Sequence, residues 1–476
     1  MYANVKNEMA KLPAEYADEL LHSIRQEFLI TGKTVVVLDD DPTGTQTCHD
    51  VMVLTSWTVP LIVGELRKKP SILFILTNSR SLPEQKAVQL TLEIGHNLKK
   101  AAKESGREIV PISRSDSTLR GHFPAEVNAM AQALSMEDAV WILLPAFIEG
   151  GRFTIDDVHY IIENQECVPV SDTPFARDVF FGYTHSNLKE WVEEKTKGTV
   201  KTGEVISVSL NDIRLGGPLA VCEILLKCHA RQVCVVNACS CKDLEVFVMG
   251  ALLAERSGQK FVYRTSATFV SIRAGIAPGY NFKPKKEQVT SPHGSLVVVG
   301  SYVPKTTIQL DYLLAKGSHQ PLEINVPELL QSNDDSAYAA SIIEQADLWM
   351  ATGKDVVVYT SRRLEVGRDP DSSLRINGVV SDFLVALIKS ITVRPAFIVA
   401  KGGITSSDLA SKGLSVEKAL ILGQVIPGVP VWELDQKSKF PGLIYVVFPG
   451  NVGDHSALAE VCNKLKAQRD TESEKL

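Results

Sequence analysis

Three consecutive acids, Asp39, Asp40 and Asp41, follow directly on the apolar run Val35-Val-Val-Leu38. Like charges this close repel and raise one another's pKa, so such a cluster is expected where something cationic or a hydroxyl proton is bound. Mg²⁺ or a sugar hydroxyl awaiting a general base would suit it, and a turn with helix-capping acids is the plain alternative. Arg80, Arg114 and Arg120 stand in loops after neighbouring apolar runs. Guanidinium forks match carboxylates bidentately, which suggests an anionic small substrate; salt bridges to the aspartates compete with that reading. Asp116 and Ser117 lie between two of the arginines and suit substrate hydroxyls.

The second half of the chain carries three glycine loops: Gly300-Ser301, Gly402-Gly403 and Gly450-Asn-Val-Gly453. Glycine lets the main chain approach a phosphate, and a following helix start adds free N–H donors and a positive dipole end. Any one of these loops reads equally well as turn chemistry, but three in one domain favour a nucleotide. Ser301, Thr405 and Asn451 could add side-chain bonds, and Lys401 could offset phosphate charge or be merely solvated.

These loops need elements to position them. Short β-branched or aliphatic runs (35–38, 71–76, 109–112, 296–299, 355–359, 396–400 and 443–447) alternate with helical patterns. That alternation predicts α/β architecture: two three-layer α/β/α domains with mostly parallel sheets. In an open α/β sheet, ligands sit at the carboxyl ends of the strands, where these loops lie. Residues 14–29 read as an amphipathic helix with Leu20, Ile24 and Phe28 on one face. The Pro-, Gly- and Lys-rich stretch 278–294 reads as a linker. The expected division is an N-terminal helical extension (1–33), a first domain (34–285) that supplies charge, and a second (286–476) that supplies phosphate-friendly loops.

Composition narrows the function. In 476 residues, 50 Lys and Arg against 56 Asp and Glu leave a net charge of −6, which argues against broad nucleic-acid binding. No apolar run reaches the ~18 residues of a membrane span. The charge-alternating N-terminus resembles neither a signal nor a transit peptide, so a cytoplasmic protein is expected. The eight cysteines read as buried thiols rather than a disulfide framework or zinc site. Thr31-Gly-Lys-Thr34 mimics the end of a phosphate-binding loop, but position 27 is Glu and the run precedes its strand. No GxGxxG follows a strand, and protein-kinase signatures are absent. Acidic and arginine-rich loops in one half with glycine loops in the other describe a small-molecule kinase that holds an acid sugar in the first domain and MgATP in the second.

Four motifs together, Asp40-Asp-Pro-Thr-Gly44, Ser113-Arg-Ser-Asp-Ser-Thr-Leu-Arg-Gly121, Lys401-Gly-Gly-Ile-Thr-Ser406 and Pro449-Gly-Asn-Val-Gly453, resemble the four-carbon acid sugar kinase family, which includes threonate, erythronate and 3-oxo-tetronate kinases. They appear in the family's order over residues 34–465. The resemblance implies ATP-dependent phosphorylation of the C4 hydroxyl of a four-carbon acid sugar, with ATP and Mg²⁺ required. It implies substrate contacts at Asp40, Asp41, Arg80, Arg114, Ser115, Asp116 and Ser117, and nucleotide contacts at Ser301, Lys401, Gly402, Gly403, Ile404 and Gly450. Asp41, or its neighbour Asp40, is expected to orient the attacking hydroxyl, and Arg80 and Arg114 to clamp the carboxylate. Many relatives carry Lys in place of Arg114 and Asn in place of His122, and the stretch 150–200 is longer here. The alternatives are a sugar-acid dehydrogenase on an α/β scaffold and a non-catalytic sugar-acid sensor. The metal ligands, the acid's identity and any homo-oligomer are left open.

Overall fold

The computed structural model describes residues 3–277, 282, 291–331, 336–363 and 370–470. The chain divides into two compact units, residues 1–47 with 56–278 and residues 48–55 with 279–476. The boundary expected at 285, and most of the linker, lie outside the described residues.

Up to residue 277 the strands are β1 (Ala3–Asn4), β2 (Thr34–Asp39), β3 (Val51–Leu54), β4 (Ile72–Leu76), β5 (Ile109–Arg114), β6 (Val140–Leu144), β7 (Arg152–Ile155), β8 (Val158–Glu163), β9 (Glu166–Pro169), β10 (Ile206–Val208), β11 (Val233–Val236) and β12 (Phe261–Thr265). The first unit's main sheet runs β10-β11-β6-β12-β5-β2-β4, all parallel. β2, β4, β6, β11 and β12 are buried along their whole length. Burial on both faces is why such strands read as unbroken apolar runs. Helix Glu84–Ser105 buries Ala87, Thr91, Ile94, Leu98 and Ala101, the one-sided spacing of a helix laid against a sheet.

β2 has β4 on one side and β5 on the other, so the chain reverses its direction of travel across the sheet there. That leaves a crevice at the carboxyl ends of β2 and β5. The register places the last residue of β2, Asp39, directly opposite the last residue of β5, Arg114.

Two local expectations change. The helix expected over 14–29 spans Leu21–Thr31 and stops at Gly32, whose φ is +63°. Ile24 and Phe28 are buried as the pattern requires. Ahead of it, the Pro13 carbonyl accepts from Arg214 Nη1 (2.8 Å) and the Leu20 N–H donates to Glu245 (3.1 Å), so tertiary bonds replace helical ones. The long stretch after residue 150 supplies β7, β8 and β9, which with the N-terminal β1 form a small antiparallel sheet, β1-β9-β8-β7, and later helix Leu188–Lys195.

The second unit adds β13 (Leu296–Val299), β14 (Gln320–Ile324), β15 (Val356–Thr360), β16 (Phe397–Lys401), β17 (Lys418–Ile426), β18 (Val429–Leu434) and β19 (Ile444–Phe448). Its sheet runs β3-β17-β18-β19-β16-β13-β15-β14. The five strands from β19 to β14 are parallel. β3, β17 and β18 extend the sheet as an antiparallel edge that the sequence pattern does not announce. β13 sits between β15 and β16, a second reversal, whose crevice collects the loops after β13 and β16.

β3 comes from the N-terminal half of the sequence yet completes this second sheet, with Val51, Val53 and Leu54 buried. A fragment that begins at residue 291 therefore leaves the outer edge of β17 unpaired. Its unfolding free energy is expected to fall ~2–4 kcal/mol below that of the same fragment fused to residues 48–55. Equal urea midpoints for the two fragments would remove β3 from the unit.

Candidate functional site

The first unit's site grows from the three aspartates. Asp39 Oδ1 accepts from Arg114 Nη1 at 3.0 Å and from the Asp41 N–H at 3.2 Å. The turn Pro42–Thr47 closes over the carboxyl so tightly that a Cβ on Gly44 would lie 1.9 Å from Asp39 Oδ2. Asp40 accepts from Arg80 twice, Nη2 to Oδ1 at 2.5 Å and Nε to Oδ2 at 3.2 Å, and from Ser115 Oγ at 2.6 Å. Arg80 Nη1 also reaches Asp41 Oδ2 (3.3 Å) and Asp116 Oδ1 (3.9 Å), so one guanidinium holds three carboxylates. Asp116 Oδ2 accepts from Arg120 Nε at 2.7 Å and from the Thr118 hydroxyl. Ser117 is buried, its carbonyl 2.8 Å from His159 Nε2.

The structure thus brings together Asp40, Asp41, Arg80, Arg114, Ser115, Asp116 and Ser117, but it sorts them by exposure. The side chains of Asp39, Asp40 and Arg114 are 1%, 4% and 6% exposed, those of Asp41 and Arg120 25% each. Asp41, Arg80, Asp116 and Arg120 therefore form the reachable face. Arg114, expected to clamp a substrate carboxylate, is instead the buried counter-ion of Asp39, because β-sheet register sets the two side by side.

Arg264 has no counterpart in the sequence reading. From the end of β12 its Nη2 donates to Ser115 Oγ (3.2 Å) and the Arg120 carbonyl (2.9 Å), and its Nη1 to the Asp116 carbonyl (3.3 Å). A charge inside the otherwise apolar run Phe261-Val-Tyr-Arg-Thr265 was the available signal.

Burial pushes the Asp39 carboxyl up to about 7, outweighing the attraction of Arg114. For Asp41 burial acts upward, but Arg80, Arg114 and two bonds from Thr43 (N–H 2.8 Å, Oγ1 2.5 Å) bring it below the usual carboxylate range. Asp116 also lies well below that range, since Arg80 and Arg120 overcome its burial. Asp41 and Asp116 are thus anions at neutral pH. Arginines already answer the charge of the acidic triplet, and among the described residues no group of three or more His, Cys, Asp or Glu could hold a metal ion. The triplet does not fit a Mg²⁺ site.

In the second unit, Gly300, Ser301, Gly402, Thr405 and Gly450 converge. A Cβ on Gly300 would meet Thr405 Oγ1 at 2.4 Å, and one on Gly450 would meet Ser301 Oγ at 3.0 Å. Gly402 has φ +122° and donates its N–H to the Phe448 carbonyl at 2.8 Å. Thr306 Oγ1 donates to the Gly450 carbonyl (2.8 Å), Gln309 Nε2 to the carbonyls of Val452 (2.9 Å) and Asp454 (2.6 Å). Arg362 Nη2, another residue sequence reasoning missed, holds the Ser301 carbonyl at 2.6 Å. Gly403 opens helix Gly403–Asp408, in which Ser406, Ser407 and Asp408 are buried. The Ile404 side chain is 54% exposed.

Lys401, expected to offset phosphate charge, turns inward. It is fully buried; its Nζ donates to the Pro449 carbonyl at 2.7 Å and lies 3.7 Å from the centre of the Phe448 ring. Burial, with Lys305 adding repulsion, pushes its pKa down to about 7. Its amine ties the end of β16 to the last glycine loop.

Residues 35–273 match the family model of a sugar-binding N-terminal domain, and residues 296–458 that of a nucleotide-binding C-terminal domain. Solved structures that share the fold include Haemophilus influenzae protein HI1011, at 17% identity and a TM-score of 0.62, covering 91% of this chain and 100% of that one. Another is a provisionally named tRNA synthase from Salmonella typhimurium LT2, at 16% identity and a TM-score of 0.65, covering 90% and 98%. No curated protein matches the chain. Fold and matches together define a two-domain sugar- and nucleotide-binding protein. The chain belongs to the four-carbon acid sugar kinase family.

Replacing Arg114 with Ala strands a buried Asp39 and is expected to cost ~3–5 kcal/mol of unfolding free energy at pH 8. Because Asp39 titrates near 7, it can protonate in acid, so the loss should shrink at pH 5. Arg120→Ala, at a less buried pair whose partner Asp116 also meets Arg80 and the Thr118 hydroxyl, should cost less than Arg114→Ala. Equal small losses in urea unfolding would show that Arg114 is not the counter-ion the fold depends on.

Proposed function

We propose that this protein transfers the γ-phosphoryl group of MgATP to the terminal C4 hydroxyl of a four-carbon acid sugar such as threonate, erythronate or a 3-oxo-tetronate. The observation that carries the reading is the reachable face of Asp41, Arg80, Asp116 and Arg120 at the reversal point of one sheet, matched by a glycine cradle at the reversal point of the other.

Arg80 and Arg120 present positive charge to the acid's carboxylate, while Asp116 and Ser117 face its C2 and C3 oxygens. Asp41 accepts the hydrogen bond of the attacking hydroxyl. Its depressed pKa makes it a weak base, which suits a loose transition state in which positioning matters more than proton abstraction. Asp40 and Ser115 hold Arg80 in place. The main chain at Ser301, Gly402, Gly403 and Gly450 receives the phosphates, the exposed Ile404 offers an apolar contact to the base, and Lys401 keeps the cradle's loops together. Mg²⁺ would be brought by the nucleotide rather than held by the aspartates, and would offset phosphate charge. The absence of GxGxxG weighs against the dehydrogenase alternative.

The test is ADP release from MgATP over a panel of D- and L-threonate, D- and L-erythronate and their 3-oxo forms. Turnover with one acid is expected. Asp41→Asn should then lower kcat about 100-fold or more with little change in the KM for ATP. Undiminished turnover would remove Asp41 from the reaction. ATP binding without turnover on any acid would favour the sensor, and absence of ATP binding would overturn the nucleotide assignment.

A further inference from the structure

Glu126 plays no part in the site as described so far. It lies in the first turn of helix Ala125–Leu134 and is 8% exposed. Glu126 and Asp40 both line a small cavity of about 10 Å³, whose other polar lining is Thr77, Ser79, Thr91 and Ser113. A buried water needs about one probe sphere of space and two to four polar partners. This cavity supplies both.

Thr91 Oγ1 donates to the Ala87 carbonyl (2.9 Å); Thr77 Oγ1 lies within donating distance of the Asp39 carbonyl (3.0 Å) and Ser79 Oγ (3.1 Å) and accepts from the Ser79 N–H (3.3 Å), so each hydroxyl keeps a lone pair for a donor in the cavity. Asp40 uses three of about four acceptor positions on Arg80 and Ser115, leaving one for a further donor. A neutral Glu126 can donate to the water, and the water to Asp40. We propose that Glu126 is a positioning residue for the acid-sugar site: as a neutral acid it holds Asp40, through one enclosed water, in the orientation that fixes Arg80. The functional part of this inference rests on the kinase reading; the protonation state of Glu126 does not.

The charges around Glu126 agree. Burial, and then the repulsion of Asp40, push its pKa up to about 7. Ser79 on the loop after β4 hydrogen-bonds to it, and Arg264 and Arg80 oppose the rise, but more weakly. His122, one turn earlier, has Nε2 engaged with the carbonyls of Leu82 (2.9 Å) and Ser79 (3.2 Å). Ionised Glu126 would place a second anion across the cavity from Asp40 and compete for Arg80.

The linkage has a definite sign. A carboxyl whose folded pKa lies above its unfolded value binds its proton more tightly in the native state, so its contribution to stability is lost as pH rises from about 4.5 to about 7. Glu126→Gln keeps the shape and a neutral donor but does not titrate. In the full chain, this variant should match the parent's thermal midpoint at pH 5 and exceed it at pH 8. The parent's KM for the accepted acid should rise about fivefold or more between pH 6 and pH 8.5, with the rise absent in the variant and kcat little changed. Carbon-13 NMR of Glu-labelled parent protein should show one side-chain carboxyl titrating near neutrality, an assay that needs neither turnover nor a variant that folds. If no acid is phosphorylated but the NMR and thermal results hold, the kinase reading fails and the neutral Glu126 stands. If no Glu carboxyl titrates above about pH 5.5, or the variant's midpoint tracks the parent's at every pH, the proposal is overturned.

Discussion

Charge taken out of water is the constraint on which the first unit's architecture depends. Asp39, Asp40 and Arg114 are almost fully buried, and Arg264 with them. Isolated ions in such a place would cost far more than a domain's net stability, so Asp39, Asp40 and Arg114 meet partners of opposite charge and Arg264 spends its donors on a hydroxyl and two carbonyls. That requirement dictates the loops. Gly44 is glycine because Asp39 occupies the space a Cβ would need, and at Gly121, φ +116°, a Cβ would lie 2.6 Å from Ser115 Oγ. Glycine is what lets these loops pass so close to the buried side chains.

Partial neutralisation divides the labour. Burial raises Asp39 and Glu126 toward neutrality, while Arg80 and Arg120 keep Asp41 and Asp116 ionised. The inner acids set positions and the outer ones face solvent as anions. Arg80 joins the two layers, since it contacts Asp40 on the inside and Asp41 and Asp116 on the outside.

The second unit solves a different problem by different means. Its cradle depends on main-chain approach rather than on ion pairs: Gly300, Gly402 and Gly450 sit where side chains would collide with Thr405 or Ser301. Thr306, Gln309, Arg362 and Lys401 donate to loop carbonyls, which ties the glycine loops to one another. Lys401 shows how a side chain that looks like a phosphate ligand can be structural. At the carboxyl end of a fully buried strand, its amine finds a carbonyl and an aromatic face before it finds water.

Strand-and-loop alternation, the acidic and glycine motifs and their order along the chain were legible in the sequence, because parallel strands buried on both faces must be apolar runs and the loops after them must carry polar or glycine residues. Ile24 and Phe28 could likewise be assigned to the buried face of their helix from spacing alone. What periodicity cannot contain is which strands become neighbours. The register that sets Arg114 against Asp39, the arrival of Arg264 and Glu126 beside Asp40, and the pairing of β3 with β17 are all long-range outcomes. Only the tertiary structure decided which charges lie inside as counter-ions and which stay reachable from solvent, because solvent exposure belongs to the packed assembly of strands and not to any one segment.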